Sequence, residues 1–259
     1  MIKETKDKKN LYKHFSKDVF QFAYHIGDLD DFFFPDCTWF ALYDGKILEE
    51  VILLYSGLSI PTVLVFGSPI KMPLLIHGII QHLPNRFYCH YQKEFEPYFK
   101  ERYRINTLGT HLKMKYTESI SNLAISETSN YILFKEEDKN EIIEFYEEAY
   151  PDGYFEPYML LTGKYYGIKI NNEIKSVAGV HVYSEKNRIA VLGNIATHPS
   201  MRGKGLAKSC IIKLLHSFKG KIDHIGLNVK EINYPAVRLY QNLGFEIHSS
   251  YEEGFFEKN

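Results

Sequence analysis

The sequence predicts an α+β protein: a mixed, mostly antiparallel central sheet flanked by helices, in two tandem copies of which the first is degenerate. Three observations predict it. Strand-like runs and amphipathic helices follow one another in an order that can be read twice along the chain. A stretch over residues 118–130, rich in Ser, Asn, Thr and Glu and without any sustained period, separates the two readings. A glycine-rich turn carrying two cations stands between a strand and a helix in the second reading and has no counterpart in the first. The expected domains are therefore residues 1–125 and residues 126–259.

The second reading is the clearer. A short strand is expected over 131–134, then a helix opened by a capping-box pattern, Asp138 with Glu141, whose Ile142, Phe145, Tyr146 and Ala149 share a face. Pro151, Asp152 and Gly153 end it. Strands follow over 165–170, 174–183 and 188–197, joined by turns at Asn171-Asn172 and 184–187. Leu206, Cys210, Ile211, Leu214, Leu215 and Phe218 mark a helix over 205–219. A strand over 225–229, a helix over 234–243 and two closing strands near 245–251 and 254–257 complete the unit.

The first reading repeats this order more faintly. Strands over 39–43 and 46–55 flank the turn Asp44-Gly45 and form a hairpin. A strand over 62–66, a helix over 71–82, a strand over 86–90, a helix over 94–101 and a strand over 111–116 follow. The mostly apolar stretch 51–66 is interrupted by Ser56, Gly57, Ser59 and Pro61, so it reads as two buried strands rather than a membrane span, which needs about 20 residues.

Composition bounds the function. With 31 Lys and Arg against 32 Asp and Glu, the chain has no electrostatic footprint for nucleic acid. Three dispersed cysteines cannot build a disulfide framework and suit a reducing compartment. The Lys-rich start is not followed by the apolar core and cleavage site of a signal peptide, so a cytoplasmic protein away from membranes is expected. His77, His82, Cys89 and His90 cluster in sequence, but the first two are five apart on a helix and the last two alternate across a strand. No metal site is expected from them.

The most informative segment runs Ile195, Ala196, Thr197, His198, Pro199, Ser200, Met201, Arg202, Gly203, Lys204, Gly205, Leu206, Ala207. A strand ends at Thr197 and a helix begins at Gly205. The glycines let several backbone N–H groups face one way, and the helix start adds unpaired donors and the positive end of its dipole. That arrangement suits a pyrophosphate, with Arg202 and Lys204 adding charge at its rim. A Walker A loop is excluded by the absence of Gly-Lys-Ser/Thr after its spacer, and a dinucleotide fingerprint by the missing third glycine.

Arg202, Gly205 and Ala207 resemble the Gln/Arg-x-x-Gly-x-Gly/Ala cofactor motif of the GCN5-related N-acetyltransferase (GNAT) superfamily. Downstream, Asn228, Asn233 and the run Leu239, Tyr240, Gln241, Asn242, Leu243, Gly244, Phe245 resemble its second motif. The resemblance covers about residues 131–259 and implies the GNAT fold, acetyl-CoA as cosubstrate and an amine acceptor. It further implies that the backbone of Ile195 and Thr197 pairs with the pantetheine arm. Amides from Arg202, Gly203, Lys204, Gly205, Leu206 and Ala207 would hold the pyrophosphate. Ala196 lies within the same strand segment. Asn228 would stand beside the pantetheine, with Asn233 and Ala236 across from it. Asn233 equally suits a helix N-cap.

Tyr240, one turn after Ala236, is the expected proton donor to the leaving thiolate; a core tyrosine packed on the sheet is the alternative. In the first copy Phe99 takes the place of Tyr240 and the loop Phe66, Gly67, Ser68, Pro69, Ile70, Lys71 lacks the motif, so no CoA is expected there. The general base is not legible: His181, Glu156 and Tyr158 are candidates, and Tyr150, Tyr154 and Phe155 surround the last two in sequence. The expected activity is N-acetyl transfer to a small-molecule or protein amine by a monomer or homodimer. A non-catalytic acyl-CoA sensor and an acyltransferase for longer acyl groups are the alternatives.

Overall fold

Alternation of apolar residues becomes twelve strands among the described residues, with helices packed on them. The computed structural model describes residues 1–125 and 130–259. In chain order the elements are β1 (Ile2–Glu4), α1 (Lys8–Phe15), α2 (Ala23–Gly27), β2 (Cys37–Asp44), β3 (Ile47–Tyr55), β4 (Thr62–Val65), α3 (Met72–Ile79), β5 (Arg86–Tyr91), α4 (Pro97–Lys100) and β6 (Tyr103–Tyr116). They continue with β7 (Tyr131–Leu133), α5 (Lys139–Ala149), β8 (Tyr166–Ile170), β9 (Glu173–Ser184), β10 (Ile189–Thr197), α6 (Leu206–His216), β11 (His224–Lys230), α7 (Tyr234–Gln241) and β12 (Phe245–Lys258). The chain divides into two compact units. One comprises Met1–Met114, Val229–Val237 and Ile247–Asn259; the other comprises Lys115–Asn228 and Arg238–Glu246.

In the first unit the strand order is β1-β2-β3-β4-β5-β12-β6. The hairpin β2–β3 turns at Gly45 and Lys46, one residue later than expected, and Gly45 takes φ +55°, a left-handed conformation that costs glycine little. Strand β4 runs parallel to β5, with α3 as the crossover. One face of this sheet forms a core of Phe87, Cys89, Tyr103 and Phe256, all at most 1% exposed, against Leu75 and Ile76 of α3 and Phe99 of α4. The last strand of the chain belongs here: β12 pairs antiparallel with β5 from Glu252↔Tyr91 to Glu257↔Arg86, and Phe256 stacks on Phe87 at 5.1 Å.

In the second unit the order is β11-β10-β9-β8-β7. All neighbours are antiparallel except β10 and β11, which α6 connects in parallel. Helix α6 buries Cys210, Ile211, Leu214 and Leu215, and α5 buries Ile142, Phe145, Tyr146 and Ala149, the face its periodicity predicts. Gly167 and Gly179 are flat spots on which the rings of Phe134 and Tyr165 lie; a Cβ at either would come within 2.4 Å of the ring.

The element order agrees with the two-copy reading; β6 starts at Tyr103 rather than at 111, and four further differences stand out. First, the N-terminal β1, α1 and α2 carry too few periodic residues to be seen in advance; α1 is marked only by its N-cap, Asp7, which accepts from the Asn10 amide at 3.0 Å. Second, the closing segment is one fourteen-residue strand rather than two. Gly254 does not break it: a Cβ there would lie 2.9 Å from the Asn106 carbonyl oxygen, so glycine permits a close strand approach. Third, Asp138 does not cap with Glu141. A 3-10 turn, Glu136–Asp138, precedes α5, and the Asp138 carboxylate accepts the Lys135 amide at 2.8 Å. Fourth, the linear boundary expected at 125/126 gives way to interleaved units, because the apolar face of β12 is buried in the first unit's core.

Candidate functional site

Two parallel strands define the site by where they cease to pair. Strands β10 and β11 pair from Ile189↔His224 to Leu192↔Leu227 and no further, although β10 continues to Thr197 and β11 to Lys230. On its other side β10 pairs with β9 at Gly193↔Gly179 and again at Ala196↔Val177, with a bulge between. Asn194 at that bulge takes φ +52°. Beyond Leu192 the side of β10 toward β11 therefore presents backbone groups without a strand partner, the form of edge to which an extended amide-bearing chain adds.

At the end of this edge, residues 198–205 form the turn into α6. His198 Nδ1 accepts the Ser200 amide at 3.3 Å, and Pro199–Met201 make one 3-10 turn. Gly203 and Gly205 take φ +77° and +79°, and a Cβ on either would meet nothing within 4 Å. Glycine is required there for its backbone, and the space beside it stays open. Gly205 is the N-cap of α6, with no side-chain cap and no acidic residue in the first turn, so the opening N–H groups keep their unpaired donors. Arg202 differs from its expected place at the rim. Its Nε donates to the Thr197 carbonyl at 3.3 Å and its Nη2 to the Ala149 carbonyl at 3.2 Å, so it braces the loop against the end of α5. Lys204 is exposed, its Nζ 3.4 Å from Met201 Sδ.

Asn228, on β11, has a side-chain Nδ2 that is buried and has no hydrogen-bond partner. An orphaned amide donor of this kind carries a desolvation cost of about 1–3 kcal/mol unless a ligand accepts from it. Asn233 is exposed and acts as a cap, its Oδ1 accepting the Ala236 amide at 3.4 Å. Tyr240, one turn along α7 from Ala236, is 7% exposed and packs edge-on against Phe245 at 6.1 Å. Burial, reinforced by the neighbouring Tyr150, pushes its phenol well above the ordinary tyrosine range, so it keeps its proton at neutral pH.

The base candidates are spread apart in character. The His181 imidazole lies over Gly193, where a Cβ would come within 2.4 Å of it. Glu156 and Tyr158 are half-buried at the start of the 3-10 segment Pro157–Thr162. Sequence reasoning missed a hydrogen-bonded group beneath the bulge. Tyr146 donates to the Asn194 carbonyl at 2.6 Å, Asn194 Nδ2 donates to the Tyr165 hydroxyl at 2.9 Å, and Tyr165 donates to the Val180 carbonyl at 2.9 Å. Tyr146 and Tyr165 sit on positions that read as ordinary core, and nothing in their spacing sets them apart.

The corresponding place in the first unit is closed. Strand β4 pairs with β5 along its whole length, from Thr62↔Tyr88 to Val65↔Tyr91, and the Gln92 amide continues the ladder to the Val65 carbonyl at 3.2 Å. The loop amides are taken by the chain's own side chains: Ser68 N–H donates to Glu50 Oε1 at 3.1 Å and Gly67 N–H to Gln92 Oε1 at 2.7 Å. A Cβ on Gly67 would overlap the Glu50 carboxylate. Burial pushes the Glu50 carboxyl up to about 7, the Ser68 amide opposing. Cys89 and His90, set aside as metal ligands, do point to opposite sides of β5: Cys89 lies in the core and His90 Nε2 is 3.6 Å from Glu253 on β12. Among the described residues no helix is long and apolar enough to cross a membrane.

Residues 128–245 match the acetyltransferase (GNAT) family. No curated protein matches the chain in sequence. Among solved structures, a Drosophila protein superposes with a TM-score of 0.71 at 12% identity, covering 99% of this chain and 98% of its own. A GNAT-family acetyltransferase from Colwellia psychrerythraea covers the full length of both chains at a TM-score of 0.59 and 13% identity. A tandem GNAT protein from the clavulanic acid biosynthesis pathway covers 100% of this chain and 98% of its own, with a TM-score of 0.58 and 10% identity. At these identities the likeness is one of fold.

Proposed function

We propose that the protein transfers the acetyl group of acetyl-CoA to a primary amine by direct attack on the thioester, a reading supported by the match of residues 128–245 to the acetyltransferase (GNAT) family. The observation that carries this reading is the end of pairing between β10 and β11 at Leu192↔Leu227, beside an open glycine turn at the start of α6. Amides of residues 202–207 hold the pyrophosphate, aided by the dipole of α6, while Lys204 supplies charge and Arg202 braces the loop. The pantetheine arm then runs back along the unpaired edge of β10. Thr197 and Ile195 pair with its amides and carbonyls, and Asn228 Nδ2 donates to it from β11. With the pyrophosphate held beyond Thr197, the acyl end of the arm meets the Asn194–Ile195 peptide.

At that point the amine nitrogen attacks the carbonyl carbon, the C–S bond breaks, and the sulfur takes the proton of the Tyr240 hydroxyl. The surplus proton on the acylated nitrogen passes to solvent, from which Tyr240 is reprotonated. The raised phenol suits this role, since the group is a proton donor throughout the neutral range. Asn233 and Ala236 begin the helix that carries Tyr240.

We also assign one acetyl-CoA site per chain. In the first unit Glu50 and Gln92 already occupy the loop amides that a phosphate would need, and β4 and β5 do not part. The test is calorimetric titration with acetyl-CoA followed by thiol release over a panel of amines. One site with amine-dependent release supports acetyl transfer. Binding with no release from any amine would replace it with an acyl-CoA sensor, and no binding would remove the reading altogether.

A further inference from the structure

Helix α5 ends against its own dipole. Its last turn carries Glu147 and Glu148 and no basic residue, although the carbonyl end of a helix favours cations. The cations come from the turn between β10 and α6. His198 Nε2 stands 2.8 Å from Glu148 Oε1, and Arg202 Nη2 donates to the Ala149 carbonyl at 3.2 Å. Two side chains of one turn thus hold one helix end.

His198 is the centre of this clasp. Its backbone N–H donates to the Lys175 carbonyl at 2.9 Å, which seats it where β9 and β10 finish pairing. Its Nδ1 accepts the Ser200 amide, so in the neutral ring the hydrogen lies on Nε2, within reach of Glu148. One residue therefore joins β9, the turn and the end of α5. The glycines of the same turn have no such hold: a Cβ on Gly203 or Gly205 would meet nothing within 4 Å. A run with two glycines has much backbone freedom to lose when a ligand fixes it, and a turn braced beforehand loses less.

We propose that His198 is a positioning residue for acetyl-CoA, which by tying Ser200 to Glu148 fixes the turn whose amides take the pyrophosphate. The proposal rests on the acetyl-transfer reading. It reverses the sign that charge alone gives to Glu148. A carboxylate near a bound pyrophosphate repels it, so on Coulomb grounds its removal tightens binding. As the anchor of His198, the same carboxylate helps the anion to bind.

The experiment compares wild type, His198→Ala, Glu148→Ala and Glu148→Gln as full chains with two donors. One is acetyl-CoA; the other is acetyl-pantetheine, which keeps the thioester and the arm and lacks the pyrophosphate. Calorimetry gives the affinity for acetyl-CoA, and thiol release gives kcat and KM for both donors. His198→Ala raises Kd for acetyl-CoA about tenfold, while kcat at saturation and kcat/KM for acetyl-pantetheine stay within about twofold of wild type. The Glu148 side chain is 64% exposed, so its bond contributes less. Glu148→Ala binds acetyl-CoA about threefold more weakly than Glu148→Gln, whose amide oxygen still accepts from His198 Nε2.

Unchanged affinity in His198→Ala would overturn the proposal. So would equal affinity in the two Glu148 variants, which differ in the acceptor and not in charge. A matching loss with acetyl-pantetheine would overturn it as well, since that means general loosening of the domain. Should His198→Ala not fold, the two Glu148 variants, which alter one exposed side chain, still decide. Binding without turnover in wild type would end the acetyl-transfer reading and leave the affinity comparison standing; no binding would end both.

Discussion

At the scale of single residues, two positions carry the sharpest expectations. Gly205 needs φ +79° and faces open space, so Gly205→Asp adds backbone strain and sets a carboxylate where phosphates would lie. Calorimetry should find acetyl-CoA binding abolished; binding at wild-type affinity would mean that the phosphate loop lies elsewhere. Tyr240→Phe keeps the packing against Phe245 and removes only the phenol hydroxyl. It should lower kcat by about 10²-fold, within the range of a lost general acid, with acetyl-CoA affinity little changed. A kcat equal to wild type would reduce Tyr240 to a core residue. Arg202 shows how a residue's type can be legible while its partner is not: its charge was readable in the motif, but two carbonyls, one of them on α5, hold its guanidinium.

At the scale of elements, β12 and the β3–β4 region of the first unit are the informative pieces. Phe256 on β12 is fully buried among Phe87, Phe99 and Tyr103. Phe256→Ala should destabilise by about 3–5 kcal/mol, read as a shift of the urea midpoint; a cost under about 1 kcal/mol would mean that β12 is not part of that core. Glu50 on β3 gives a pH signature. Its carboxyl rises from 4.5 to about 7, so the folded protein holds that proton more tightly than the unfolded chain does. A raised folded value contributes stability that is full below about 4.5 and lost as pH climbs to about 7. Wild type should therefore lose more stability than Glu50→Gln between about pH 5 and pH 8, the comparison cancelling every other titrating group. Parallel losses in the two proteins would show that Glu50 ionises normally.

At the scale of the whole molecule, the two units differ at the loop that follows their parallel strand. In one, the parallel strands part beside an open loop; in the other they stay paired and the loop amides are capped by Glu50 and Gln92. Full-chain titration with acetyl-CoA should accordingly give a stoichiometry near one, and Gly205→Asp should bring it to zero rather than exposing a second, weaker site. A second site surviving in that variant would refute the assignment of the first unit as closed.

The amino-acid sequence by itself determined the class of fold, most of the order of elements in both copies, and the place of the glycine turn that opens α6. These depend on local chemistry: period, turn residues and the left-handed freedom of Gly203 and Gly205 act over a few neighbouring positions. Only the tertiary structure decided that β12 serves the first unit, because strand pairing depends on faces that meet across about 170 residues of chain, as Phe87 and Phe256 do. It alone decided that β10 and β11 part after Leu192, that Glu50 fills the first loop, and that Tyr146 reaches Asn194. Each of these is a contact between residues far apart in sequence whose types, taken singly, suit an ordinary core or surface, so no local pattern announces them.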